Sequence, residues 1–340
     1  MGPAARPEQP SNLLSFRRAD GEANYYYLWN QNRLAPATGE PEPEPEAFDQ
    51  EISFEGRGQP FMLDAWTGEI TPIATYERDG DRITTRVSLA PGETTIIAIG
   101  PEGWQRNELG VEAPSLHATA TTGDAAVIGA EGELRIRATS PGTYTTDLSD
   151  GRSVESTIEG LPDSRSLSDW HLSVEDWQPG ATATETAKVP HELDLDSLRT
   201  WPEIPELEDV SGIGRYTTQI ELSSEWTGAD GARIELGPIF DSARLKVNGQ
   251  SAGYVDPDNP AIDISRHLEN GTNEIEVEVA TTLRNRLRTL LPVFENVDRQ
   301  PYGLVGPVRL IPYGEEKIHT PAAPRARPKD RPASRLRMKR

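Results

Sequence analysis

Alternation of apolar and polar positions is clearest from Asn273 to Val279, where Ile275, Val277 and Val279 share one face and Glu274, Glu276 and Glu278 the other. A period of two sends successive side chains to opposite sides of a pleated strand, so this run predicts a strand with one face on a core and one in water. Further strands are predicted from Arg215 (RYTTQIELS), Ala232 (ARIELGPIF), Ala243 (ARLKV), Ala261 (AIDI) and Gly306 (GPVRLIPY). Asn248-Gly249, directly after ARLKV, predicts a hairpin, because a type I′ turn needs positive φ at both central residues. Gly212-Ile213-Gly214 reads as a turn, since no strand-to-helix context makes it a phosphate cradle.

Upstream the pattern is again strands and turns. ITTRVSL sets Ile83, Val87 and Leu89 on one face, TTIIAIG follows the Pro91-Gly92 turn, and NYYYLWNQN alternates poorly but is dense in aromatic β-formers. The run EPEPEPE from Glu40 to Glu46 repeats proline too often for a central strand and reads as an extended, self-repelling loop. Short alternations such as ELRIRATS, with Leu134 and Ile136 inward, make residues 101–165 a strand-rich connector. No long helical pattern competes. The expected architecture is all-β, with two β-sandwich units at residues 14–100 and 166–313, the connector at 101–165, and a disordered basic tail at 314–340.

Charge sharpens that division. The 340 residues carry a formal net charge of -21, but residues 314–340 hold nine basic and three acidic side chains, leaving -27 on residues 1–313. So acidic a body repels a phosphate backbone, which excludes a nucleic-acid binder by bulk charge. No apolar run approaches the ~20 residues of a membrane-spanning helix. The opening MGPAARPEQPSNLL has no apolar core of a secretory signal, which leaves the compartment open, secretion included if a longer N-terminal part exists. Cysteine is absent, which removes disulfides, thiolate nucleophiles and cysteine-bound zinc.

Little catalytic chemistry is readable. There is no nucleophile elbow, no P-loop and no H-E-x-x-H, and the five histidines show no metal-ligand spacing. With 55 acidic residues, no particular pair stands out as the two carboxylates that glycoside cleavage requires. Two binding candidates emerge. In YVDPDNPAID, Asp256, Asp258 and Asn259 could offer oxygens to calcium, or form a proline-stiffened turn with Asx hydrogen bonds. In TTLRNRLR, Arg284, Asn285, Arg286 and Arg288 form a positive cluster after the best strand, able to bond sugar hydroxyls or to dock on an acidic neighbouring surface. Tyr254 and an exposed tryptophan would complete a sugar-binding cleft with Asn285.

Taken in order, SGIGRYTTQIEL (Ser211 to Leu222), ELGPIFDSARLKVNGQSAGYV (Glu235 to Val255), IDIS (Ile262 to Ser265), L-x-x-G-x-N-x-I-x-V-x-V (Leu268 to Val279), LRNRL (Leu283 to Leu287) and YGLVGPVRLIPY (Tyr302 to Tyr313) resemble the galactose-binding-like jelly roll of glycoside hydrolases, of the family 2 sugar-binding type. More narrowly, with NYYYLWNQ, LDAWTGEITPI (Leu63 to Ile73) and VSLAPGETTIIAI (Val87 to Ile99), the series is similar to the C-terminal end of the α-L-rhamnosidase-like enzymes of family 106. The resemblance implies a C-terminal jelly roll and carbohydrate, rhamnose- or galactose-containing, as partner. It also implies a catalytic β/α barrel in a larger N-terminal region, whose strand-helix repeat this sequence lacks. The expectation is therefore an accessory binding or bracing region without glycosidase activity of its own, a fragment or subunit whose partner is the catalytic domain. The alternative is a non-catalytic adhesion or scaffold protein using its sandwiches for protein contacts.

Overall fold

Ile83, Val87 and Leu89 do point together into a core, where they meet Phe54 of the neighbouring strand and Tyr26, Leu28, Ile97 and Ile99 from the facing sheet. The computed structural model describes residues 5–8, 12–31, 45–101, 103–104, 109–182, 184–223, 226 and 228–319. Residues 40–44 of the proline-glutamate loop and positions 320–340 of the expected disordered tail lie outside the described residues.

The first unit holds strands β1 (Ala5–Pro7), β2 (Leu13–Asp20), β3 (Ala23–Asn30), β4 (Phe48–Glu55), β5 (Pro60–Leu63), β6 (Ile70–Pro72), β7 (Glu77–Asp79), β8 (Arg82–Leu89) and β9 (Thr94–Ile99). They form two sheets, β1-β4-β8-β7 and β2-β3-β9-β5-β6, stacked over the core just described. Each sheet hides one face, the reason a two-layer sandwich is stable.

The middle stretch is more than a connector. Strands β10 (Ala118–Thr121), β13 (Gly142–Leu148) and β14 (Ser153–Ile158) form a sheet of their own. With the hairpin of β11 (Ala126–Ala130) and β12 (Glu133–Ala138), they bury Val127, Leu134, Ile136, Tyr144 and Ile158 as a third small core.

The last unit comprises β15 (Arg165–Ser166), β16 (Trp170–Pro179), β17 (Thr186–Leu195), β18 (Gly212–Leu222), β19 (Gly231–Glu235), β20 (Ile239–Phe240), β21 (Ser242–Val247), β22 (Gln250–Val255), β23 (Ala261–Asp263), β24 (Gly271–Ala280), helix α1 (Arg284–Leu290), β25 (Gly303–Leu304) and β26 (Arg309–Lys317). The sheet β17-β16-β18-β24-β21-β22 faces β26-β19-β23 across the largest core, and Ile275, Val277 and Val279 are fully buried in it as their alternation predicts. Asn248 and Gly249 adopt φ values of 52° and 75° between β21 and β22, the predicted hairpin. The architecture is all-β with sandwich-like sheets.

Two readings need correction. Gly212 and Gly214 are strand residues of β18, not a turn; a Cβ at Gly214 would fall 2.4 Å from the buried Trp201 ring, so glycine is there for close packing. And order does not stop at residue 313: β26 continues to Lys317 and Ile318 is buried, because this strand pairs with β12 as well as with β19 and β15.

Candidate functional site

Most of the positive cluster around LRNRL turns inward, while Arg284 stays exposed. Arg286 Nη2 donates to both carboxylate oxygens of Asp176, at 2.6 and 2.7 Å, and Gln178 Nε2 donates to the same carboxylate at 2.7 Å. Arg288 reaches Asp209 Oδ1 at 3.3 Å, and Arg284 donates to the Asp298 carbonyl at 3.2 Å. Asn285, 0% exposed, donates from Nδ2 to the Gln300 carbonyl and accepts from the Gln300 N–H, both at 2.8 Å. Of the two uses open to this cluster, docking on acidic surface is the one seen, and the surface belongs to the same chain. With its amide doubly bonded in the core, Asn285 cannot meet a sugar, and Arg286 is held by its carboxylate.

The YVDPDNPAID loop behaves as an Asx turn, with the Asp258 N–H donating to Asp256 Oδ1 at 2.9 Å. Asn259 swings away to donate from Nδ2 to Glu93 Oε1 at 2.8 Å, tying the jelly roll to the first sandwich. Among the described residues no group of three or more acidic or histidine side chains is arranged to hold a metal ion.

That tie forms one wall of a groove of about 180 Å³ between the two units. Tyr254, 60% exposed on β22, stands on one side; Trp66, 41% exposed, and Tyr27 stand on the other. Asp64 presents Trp66: its Oδ1 accepts the N–H groups of Trp66 and Thr67 at 2.7 and 3.2 Å, curling the chain into a tight turn. The jelly roll comes this close through Gly253, where a Cβ would lie 3.3 Å from Thr67. Polar atoms line the floor. Glu93 accepts from the Ala90 N–H at 2.6 Å and from Asn259, and burial, with the charges of Asp256 and Asp64 nearby, raises its carboxyl above the usual carboxylate range.

Tyr254, Asp256 and Asn259 therefore share one groove, which none of Arg284, Asn285 and Arg286 borders. Sequence reasoning missed Trp66, Asp64 and Glu93. The only local signal was the aspartate two positions before the tryptophan in LDAWTG, an Asx-turn spacing.

Neither protein-family models nor curated proteins match this chain. Among solved structures, a rhamnosidase from Novosphingobium sp. PP1Y is similar at 21% identity and a TM-score of 0.55, over 93% of this chain and 25% of that one. The likeness is one of fold. It reaches nearly every described strand, so the chain has the β-sheet architecture found in a glycoside hydrolase, while spanning a quarter of that enzyme's length. A GH2 beta-galacturonidase from Eisenbergiella tayi (16% identity, TM-score 0.29, covering 45% of this chain and 24% of that one) also matches. So does a Ruminococcus gnavus beta-glucuronidase (17%, 0.31, 44% and 28%).

Proposed function

We propose that this chain is an accessory region of a glycoside hydrolase of the α-L-rhamnosidase, family 106 type, which binds carbohydrate beside a catalytic domain and braces it. The observation that carries this reading is the groove with Tyr254 and Trp66 on opposite sides and Asp64, Glu93 and Asp256 nearby. A pyranose ring offers an apolar C–H face to an aromatic ring and hydroxyls to carboxylates, and this groove supplies both partners at once. The fold likeness to a quarter of a rhamnosidase supports the assignment to an accessory part. A shallow groove buries little of its ligand, so the Kd for rhamnose- or galactose-containing oligosaccharides is expected at about 0.1–10 mM. Calorimetric titration of the full chain tests this. Tyr254→Ala or Trp66→Ala should weaken binding about tenfold or more, at ~1–3 kcal/mol per stacked ring by analogy with base stacking. Unchanged affinity in both variants would overturn the site, and release of sugar from an aryl rhamnoside by the purified chain would overturn the accessory role.

One observation favours a second reading, a scaffold built for protein contacts. Arg286 and Arg288 of α1 turn inward, and Leu283, Leu290, Leu291 and Val293 are exposed around the helix. Self-association by light scattering that disappears in Leu290→Lys with Val293→Lys would favour that reading.

A further inference from the structure

The outer face of the sheet β2-β3-β9-β5-β6 lies on the opposite side from the first core. In a two-layer sandwich such a face meets water and is normally polar. Here it is aromatic. Tyr26 and Leu28 of β3 point into the core, so Tyr25, Tyr27 and Trp29 point out. Register places Phe16 beside Tyr27 and Arg18 beside Tyr25 on β2, Ile96 beside Tyr27 on β9, and Leu63 beside Ile96 on β5. Phe16 is 58% exposed and its ring lies 6.3 Å from Tyr27 at 42°, an open angle between two rings. Trp104 closes one end, edge-on to Tyr25 at 6.0 Å and to Phe61 at 6.3 Å. The remainder is a depression of about 430 Å³, which shares Tyr27, Leu63 and Ile96 with the Tyr254 groove. Groove and depression are thus one trough, from Arg18 at one end to Tyr254 at the other.

We infer that this trough binds a glycan chain several sugars long, with an anionic substituent, carboxylate or sulfate, seated at Arg18. The inference rests on the carbohydrate-binding reading and adds the class of ligand and its direction. Arg18 is exposed and makes no ion pair among the described residues, whereas Arg17 next to it is committed to Glu55 at 2.6 Å. In a chain of net charge -21, an uncommitted cation beside open aromatic rings is a point of charge complementarity for an anion. The opposite end carries Asp64, Glu93 and Asp256, which repel an anion and accept hydroxyls. The trough is therefore polarised, with Arg17, Arg18 and a single carboxylate, Asp20, lining one end against three carboxylates and no cation at the other: an anionic sugar on Phe16, Tyr27 and Arg18, and a neutral sugar between Trp66 and Tyr254.

Calorimetry on the full chain tests this with three tetrasaccharides: one of alternating uronate and neutral sugars, the same compound with its carboxyls reduced to alcohols, and the reduced compound bearing one sulfate ester. One or both anionic forms should bind about three- to fivefold tighter than the neutral form, an advantage that falls as salt rises from 0.05 to 0.5 M. Arg18→Gln should abolish that advantage, whereas Phe16→Ala should weaken all three. Which anion gains identifies the source. Equal affinity for all three, or an advantage that survives Arg18→Gln, overturns the inference while binding sensitive to Trp66 and Tyr254 preserves the underlying reading. If none of the three binds, both fall.

Discussion

Arg286 and Asp176, 110 residues apart in sequence, form a two-oxygen ion pair whose side chains are 16% and 2% exposed. It pins α1 to strand β16. Removing Asp176 strands the mostly buried Arg286 charge without its counter-ion, so Asp176→Ala should cost about 3–5 kcal/mol. Asp176→Leu combined with Arg286→Met should restore most of that loss, since an apolar pair of similar volume leaves no charge to satisfy. Urea unfolding followed by tryptophan fluorescence measures both, and a double variant no better than the single one would refute the argument.

Gly214 tests packing against propensity. Alanine is intrinsically better than glycine inside a strand, yet here its Cβ would sit 2.4 Å from Trp201 Cζ2. The indole is fixed: its Nε1 donates to the Tyr216 hydroxyl at 2.7 Å and its ring meets Tyr302 edge-on. Gly214→Ala should therefore destabilise the jelly roll by about 1–3 kcal/mol, and Trp201→Phe in the same chain should relieve part of that added cost. A stabilised Gly214→Ala in thermal melts would show that the ring can move.

His117 sets part of the acid response of the middle unit. It lies flat against Tyr76, with centroids 3.8 Å apart, and burial together with the nearby Arg78 charge lowers its pKa from 6.5 to about 4. The folded state therefore holds His117 neutral where the unfolded chain would bind a proton. Its contribution to stability is complete above pH 6.5 and is lost as pH falls towards 4. His117→Phe keeps the stacking and removes the titration. Its stability should vary less between pH 6.5 and 4 than the parent's, by something under about 1.4 kcal/mol per pH unit because His117 is only half-buried. Identical slopes in urea midpoints across that range would refute the assignment.

Most of the strand content was legible where one face is dry and the other wet. Ile275, Val277 and Val279 alternate with glutamates because only one side of β24 is buried. The aromatic run at residues 24–30 alternates poorly for a physical reason: β3 carries apolar side chains on both faces, so the period-two contrast disappears although the strand is regular. The LRNRL cluster was legible as charge, but its partners were not. Its charges mark the inner side of α1, because the acids they pair with come from positions 176 and 209, far off in sequence. The groove is illegible for a related reason. Asp64, Trp66 and Glu93 come from the first sandwich and Tyr254, Asp256 and Asn259 from the jelly roll, and no spacing along the chain encodes how two units abut.

Strand β26 runs beside β12 along one stretch and beside β19 along another, and Ile318 just after it fills the middle core. The middle unit thus waits for a segment made about 180 residues after its own hairpin, as the Arg137–Glu315 pair illustrates. During synthesis neither of the last two units can close until that segment leaves the ribosome, and the loop spanning them makes closure slow. A cut just before β15, however sensible it looks on a domain diagram, would take β26 away from the middle unit and leave an open sheet edge on each piece rather than two independent modules.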